Sequence, residues 1–210
     1  MRSIEDYIIE HIDEEPQLLS QIYREAHVKL LHGEMSSGHL QGRLLKMLVQ
    51  MIRPSRVLEI GTYTGYSALC IAEGLEDGAS LETIEIDDEM EDIIRENFSC
   101  SSYSDKIILI IGDANEVVLD YEDSTFDLVF MDGNKRDYWQ LYEKILPKVK
   151  QGGFILADNT LWHGKVLEKP KSNDWQTKGI LEFNTHLKSD NRVEKVILAV
   201  RDGLTLIRKK

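Results

Sequence analysis

The sequence predicts an α/β fold: a seven-stranded, mostly parallel sheet with helices on both faces, a helical preface before it and an antiparallel hairpin at its end. Three observations predict it. Short apolar runs alternate with helical stretches through most of the 210-residue chain. The run Val57 to Ile60 passes directly into a glycine turn that opens a helix. The last two apolar runs are separated by only Arg201, Asp202 and Gly203, too short a link for a parallel crossover.

The elements follow in order. Between Ile4 and about His32 the apolar residues Ile8, Ile12, Leu18, Ile22, Ala26 and Leu30 recur at helical spacing, and Pro16 suits a helix start. Gly33 to Gly38 reads as a turn, and a helix carrying Leu40, Leu44, Leu45, Leu48 and Ile52 is closed by Pro54. Residues 1–53 thus form the preface and 54–210 the α/β core of one domain, the organisation favoured at this length. The strands are Val57 to Ile60, Leu81 to Ile86, Ile107 to Ile111, Phe126 to Met131, Phe154 to Ala157, Glu194 to Val200 and Leu204 to Ile207. Strands alternating with helices imply a parallel sheet covered on both faces. The longest irregular piece, Leu161 to Lys178, holds Trp162, His163 and Trp175, and loops of that length are often functional.

Bulk properties exclude several classes. Only Cys70 and Cys100 are present, which offers neither a disulfide framework nor a paired-cysteine metal motif. No basic-then-apolar leader opens the sequence and no apolar run is long enough to span a bilayer, so a soluble cytoplasmic protein without a membrane partner is expected. The formal charge of −12 opposes a broad hold on phosphates, though a local basic patch is compatible with it.

The glycine turn narrows the cofactor. Gly61 and Gly65 lie four apart with Glu59 two residues before the first, and the middle glycine of a dinucleotide fingerprint is missing. That absence, with the reversed final strand, weighs against a nicotinamide-dependent oxidoreductase. A loop that bends close to its ligand beside a carboxylate, without a phosphate nest, suits a nucleoside with a cationic tail, and S-adenosylmethionine (SAM) fits. Glu85 ends the next strand about 20 residues on, where a carboxylate can take both ribose hydroxyls.

A second constellation lies at the same sheet edge. Asp132 follows one strand and Asp158-Asn159 another, and ligands of open α/β sheets bind at the carboxyl ends of the strands. Two carboxylates and a carboxamide suit a hard cation, Mg²⁺ foremost, or Mn²⁺ or Ca²⁺. The same residues are also common helix caps and turn formers. Lys135, three residues after Asp132, is the candidate base, its alternative being a solvated lysine.

Several motifs together resemble one family. They are Met35 with Gly42, the segment from Leu58 to Ser67, Phe-Met-Asp-Gly-Asn-Lys at 130–135, Ala-Asp-Asn-Thr-Leu-Trp-His-Gly-Lys-Val at 157–166, Phe183-Asn184 and Asp-Gly-Leu-Thr-Leu at 202–206. In this order they resemble the metal-dependent O-methyltransferases of caffeoyl-CoA and catechol type and their bacterial relatives. The resemblance implies a Rossmann-like class I methyltransferase fold. It implies Asp132, Asp158 and Asn159 as metal ligands, with Asp132 and Lys135 catalytic. It further implies Met35, Glu59, Gly61, Ser67, Glu85, Asp113, Ala114 and Asp132 around SAM, and a homodimer. Gly133, Asn134 and Gln41 depart from the usual pattern and bear on the acceptor. The expected acceptor is a small catechol-like or phenolic hydroxyl. Some bacterial relatives methylate a hydroxylated wobble uridine of tRNA; Lys165, Lys169, Lys171 and Lys178 could serve that, but the acidic chain disfavours it.

Overall fold

The structure is a computed structural model describing residues 3–210; residues 1 and 2, the first of the 1–53 preface, lie outside the described residues. The elements run α1 (Ile4–Ile9), α2 (Gln17–Lys29), α3 (Gly38–Ile52), β1 (Arg56–Ile60), α4 (Tyr66–Gly74), β2 (Ser80–Glu85), α5 (Glu91–Ser99) and β3 (Ile107–Ile111). They continue with α6 (Ala114–Val117), β4 (Phe126–Met131), α7 (Tyr138–Ile145), β5 (Val149–Ala157), α8 (Trp175–Ser189), β6 (Val193–Leu198) and β7 (Leu204–Lys209). This is the expected Rossmann-like α/β fold, with a mixed, mostly parallel sheet and flanking helices. Chain packing separates two compact units, residues 1–55 with 62–111, and residues 56–61 with 112–210.

In the first unit β2 and β3 pair in parallel from Leu81 with Ile107 to Glu85 with Ile111. The preface is two helices rather than one continuous pattern. Ser3 and Asp6 form a capping box that starts α1, and Pro16 caps α2. The stripe that α2 buries is Leu19, Ile22 and Ala26, one residue on from the expected Leu18. Burying each of Leu19 and Ile22 contributes about 1.5–3 kcal/mol. Helix α3 buries Gln41 and Arg43 beside Leu45 and Val49, and Arg43 finds its partner on α4. Its Nη2 donates to Glu73 Oε2 at 2.6 Å, and Lys46 Nζ donates to Glu73 Oε1 at 2.6 Å. Burial would raise the Glu73 carboxyl, but these two cations hold it below the ordinary value. Cys70 is buried, with Arg43 Nη2 3.8 Å from its Sγ, and Cys100 is exposed; neither is in a disulfide.

In the second unit the strand order is β1-β4-β5-β7-β6. The pairs β1 with β4 and β4 with β5 are parallel, and β7 runs antiparallel to β5 and β6, so the reversed C-terminal hairpin is present. Strand β4 is an apolar run buried on both faces, with Phe126, Leu128, Val129, Phe130 and Met131 all solvent-free. Strand β5 starts five residues before the predicted Phe154. It passes through an irregularity at the Phe126/Leu128 register shift, where Gly152 takes φ 80°. The register sets up the site: Ile60 is level with Met131, and Met131 with Ala157. The residues that follow these three, Gly61, Asp132 and Asp158, therefore leave the sheet at one level.

Candidate active site

The carboxyl end of β4 carries the densest chemistry of the second unit. Asp132 N–H donates to Ile60 C=O at 2.9 Å and Asp158 N–H to Met131 C=O at 3.0 Å, which extends the ladder one residue past the strands. Gly61 has φ 94°, and a Cβ there would stand 2.6 Å from the Asp132 carbonyl oxygen. Only glycine lets β1 end this close to β4. After Asp132 the chain turns; Asn134 Oδ1 accepts from Arg136 N–H at 3.1 Å and shapes a 3₁₀ turn, Lys135 to Asp137, that folds Lys135 back over the strand end.

Lys135 is buried, 5% exposed, and not a solvated lysine. Its Nζ lies 2.6 Å from Asp132 Oδ1 and 4.6 Å above the centre of the Tyr138 ring. The Asp132 side chain keeps 22% of its surface open to solvent, but its surroundings are dense. Burial first, and then the charge of Asp158, push its carboxyl up to about 6 against the pull of Lys135. Tyr138 is solvent-free, and its hydroxyl lies 2.5 Å from Met131 C=O and 2.8 Å from Asp158 C=O. Burial, then the Asp132 and Asp158 charges, raise that phenol well above its ordinary value, so it remains a donor.

Asn159 takes φ 57° and turns the chain away from β5, and its carbonyl accepts from Trp162 N–H at 3.2 Å. The expected irregular segment is more ordered than the sequence suggests. A 3₁₀ stretch runs from Trp162 to Leu167 with left-handed Trp162, His163 and Gly164, and α8 begins at Trp175. Trp175 is 56% exposed with Lys178 Nζ 4.1 Å from its ring centre. Asp113 caps α6 by accepting from Asn115 N–H at 2.8 Å, with Ala114 the first residue of that helix. Glu59 is fully buried in β1.

In the first unit Glu85 organises the second half of the glycine turn. Its Oε2 accepts from Thr62 N–H at 3.1 Å and Tyr63 N–H at 2.7 Å, and its Oε1 from Asp87 N–H at 3.0 Å. A carboxylate has about four acceptor sites, so the loop takes three and leaves capacity for one further donor. Thr62 and Thr83 hydroxyls meet at 2.6 Å, and Asn97 Nδ2 donates to Thr64 C=O at 2.9 Å. Gly65, at φ 82°, starts α4, in which Ser67 is buried. Tyr63 donates its hydroxyl to His32 C=O at 3.0 Å, just before the 3₁₀ turn that ends with half-exposed Met35. His39 Nε2 is 2.7 Å from Asp13 C=O. A cleft of about 980 Å³ on this unit, lined by Glu14, Glu15, Arg24, Glu25 and Lys29 among others, includes none of the candidate residues.

A family profile described as O-methyltransferase matches residues 9–210. The chain belongs to the O-methyltransferase family. Among the relatives of this O-methyltransferase is caffeoyl-CoA O-methyltransferase 1 of Eucalyptus globulus, 31% identical over 97% of this chain and 89% of that one. The SAH-bound methyltransferase PaMTH1 of Podospora anserina superposes with a TM-score of 0.89 at 29% identity, covering 99% of this chain and 94% of that one. The O-methyltransferase TomG of Streptomyces achromogenes, involved in tomaymycin synthesis and solved with SAM, superposes with a TM-score of 0.89 at 25% identity, covering 100% and 96%.

The donor set of this O-methyltransferase suits a hard divalent cation. Among the described residues no group of three or more His, Cys, Asp or Glu side chains has metal-holding geometry; the candidate set holds two carboxylates, with the Asn159 carboxamide as its third member. The observation in its favour is the pairing of two carboxylates. Asp132 and Asp158 stand close enough for one to raise the pKa of the other, while Lys135, bonded to Asp132, and Arg201 pull it down. A cation there would add to these two charges in relieving the repulsion. Tyr138 and Gly179 were not singled out from the sequence. The three-residue spacing from Lys135 to Tyr138 was visible as a helical neighbour pair, but the two carbonyls beneath the hydroxyl were not.

Proposed function

We propose that this O-methyltransferase uses SAM and a divalent cation to methylate a small catechol-like or phenolic hydroxyl, as a single-domain cytoplasmic homodimer. The reading is carried by the buried Lys135 ammonium 2.6 Å from the Asp132 carboxylate at the end of β4, with Asp158 alongside. SAM supplies the methyl group from its sulfonium. Asp132, Asp158 and Asn159 would hold the divalent cation, which would supply Lewis acidity toward the acceptor oxygen. The family resemblance and the SAM- and SAH-bound relatives support this assignment.

The chain's own residues have distinct parts in it. Glu85 holds the glycine turn through Thr62 and Tyr63 and offers its remaining acceptor capacity to the ribose. Glu59 and Gly61 serve the methionine side of the cofactor, Asp113 with Ala114 the adenine side, and Ser67 and Met35 are further cofactor-binding residues. Lys135 Nζ, once it has given a proton to solvent and is a neutral amine, takes the proton from the acceptor hydroxyl as that oxygen bonds to the methyl carbon and the methyl–sulfur bond breaks, leaving S-adenosylhomocysteine. General-base help of this kind is worth on the order of 10²- to 10⁴-fold. Exposed Val28, Leu31, Met47 and Met51 give the first unit an apolar surface consistent with a dimer, which light scattering tests.

The test of the activity is methyl transfer from labelled SAM to a catechol panel and, separately, to total tRNA, each with and without chelator. Transfer to a catechol that chelator abolishes is expected. Asp132→Ala and Asp158→Ala abolish turnover while S-adenosylhomocysteine still binds. Full activity in the chelated enzyme refutes the metal's part, and transfer to tRNA alone, steeply inhibited by salt, refutes the small acceptor.

A further inference from the structure

We propose that Tyr138 is a positioning residue whose hydroxyl ties the carboxyl ends of β4 and β5 together and thereby fixes the gap between the Asp132 and Asp158 carboxylates. Its importance for turnover rests on the proposed cation site; the tie itself does not.

Parallel strands are held by their ladder only as far as the ladder runs. Here the last bond is Asp158 N–H to Met131 C=O at 3.0 Å. Immediately beyond it both chains turn away, β4 into the 3₁₀ turn of Lys135 and β5 through Asn159 at φ 57°. The two carboxylates therefore sit on the last residues the ladder reaches, held on one side by its final bond and on the other by no further rung. Tyr138, the first residue of α7, returns to this point with its hydroxyl 2.5 Å from Met131 C=O and 2.8 Å from Asp158 C=O. One carbonyl belongs to each strand, so a single O–H shared between them bridges the gap. The ring has no freedom to wander: it is solvent-free, packs edge-on against Phe183 at 5.0 Å and lies beneath Lys135 Nζ. The hydroxyl also stands 3.5 Å from Lys135 Nζ, which donates to it; it acts on the reaction through other groups, so its role is geometric. A tie of this kind behaves as an outer partner of the ligand set, holding the donors in place rather than binding the ion.

A purely structural hydroxyl would satisfy two buried carbonyls and affect stability alone. Tyr142 gives the comparison: it lies on the same helix, and its hydroxyl donates to Asp190 Oδ2 at 2.9 Å, on no candidate residue. The experiment compares Tyr138→Phe and Tyr142→Phe with the wild-type full chain. In the metal-free proteins, hydrogen exchange at the Asp158 amide is expected to accelerate about tenfold in Tyr138→Phe, the loss of one hydrogen bond, and to stay unchanged in Tyr142→Phe. Titration with Mn²⁺ alone should show roughly 10- to 100-fold weaker binding in Tyr138→Phe. Its kcat falls while KM for SAM stays within twofold; Tyr142→Phe loses melting temperature only.

Unchanged exchange at Asp158 in Tyr138→Phe overturns the tie. So does a wild-type Asp158 amide that exchanges as fast as loop amides, which keeps the question decidable should the variant fold poorly. Faster exchange with Mn²⁺ affinity within twofold of wild type overturns the control of the carboxylate gap. Failure of the wild type to bind Mn²⁺, with full activity under chelator, instead sinks the cation reading while exchange still decides the tie.

Discussion

Gly179→Ala is the sharpest test of how the lysine turn is held. A Cβ at this position of α8 would lie 2.0 Å from the Lys135 carbonyl oxygen and 2.7 Å from that of Arg136. Ordinary contact begins at about 3.4 Å, so helix and turn must part by roughly 1.4 Å. Neither obstacle is a flexible side-chain end; both are backbone, and the turn that moves carries the Lys135 amine. Overpacking of this kind costs about 1–3 kcal/mol, and the better helix propensity of alanine returns about 0.5–1. A net loss of about 0–2.5 kcal/mol therefore leaves the protein folded. Displacing a reacting group by 1 Å costs on the order of 10²-fold in rate, so kcat should fall near a hundredfold while S-adenosylhomocysteine affinity barely changes. Urea unfolding, calorimetric binding and the labelled-methyl assay measure the three quantities on one preparation. Wild-type kcat in a folded Gly179→Ala protein would refute the claim that the α8 contact sets the lysine's position.

Three further outcomes are expected. Glu85→Gln cannot accept from all three backbone amides, and leaving one buried donor unpaired should cost about 1–3 kcal/mol and weaken SAM binding, read by urea unfolding and calorimetry. Lys135→Met should lower kcat by about 10²- to 10⁴-fold with Mn²⁺ affinity retained; a variant with full kcat shows that another group takes the proton. Asp190 is held down to about 2 chiefly by Arg192. Because its folded value lies below the unfolded one of about 3.9, it stabilises the fold above pH ~4, and that contribution fades as pH falls toward 2. Arg192 is half exposed, which cuts the stabilisation to on the order of 1 kcal/mol. Asp190→Asn should show a correspondingly shallower loss of stability between pH 4 and 2.

The strands were legible because their signal is local. Buried parallel strands read as continuous apolar runs, and Phe126 to Met131 is predicted and found with the same bounds. The reversed hairpin was legible for a similar reason: three residues between Val200 and Leu204 leave no geometric alternative. The preface was less readable. Pro16 marked the start of α2, whereas nothing in the helical spacing marked the end of α1 at Ile9. In β5 the residues before Phe154 were not read as strand, and it is there that the pairing with β4 shifts register.

The site divides along the same line. Which oxygens stand at the sheet edge follows from residues succeeding strands, so Asp132, Asp158 and Lys135 could be named from sequence. What holds them could not, because it arises where distant segments approach: Tyr138 on two carbonyls from different strands, Gly179 against the back of the lysine turn, Glu85 on the amides of the loop 22 to 23 residues earlier. These supports act on backbone rather than on side chains. A carboxylate can be replaced and its donor lost, but the gap between two carboxylates belongs to the peptide groups beneath them, here one tyrosine hydroxyl wide. Variants of the donors thus report which groups react, whereas variants of Tyr138 and Gly179 report how closely their spacing must be kept.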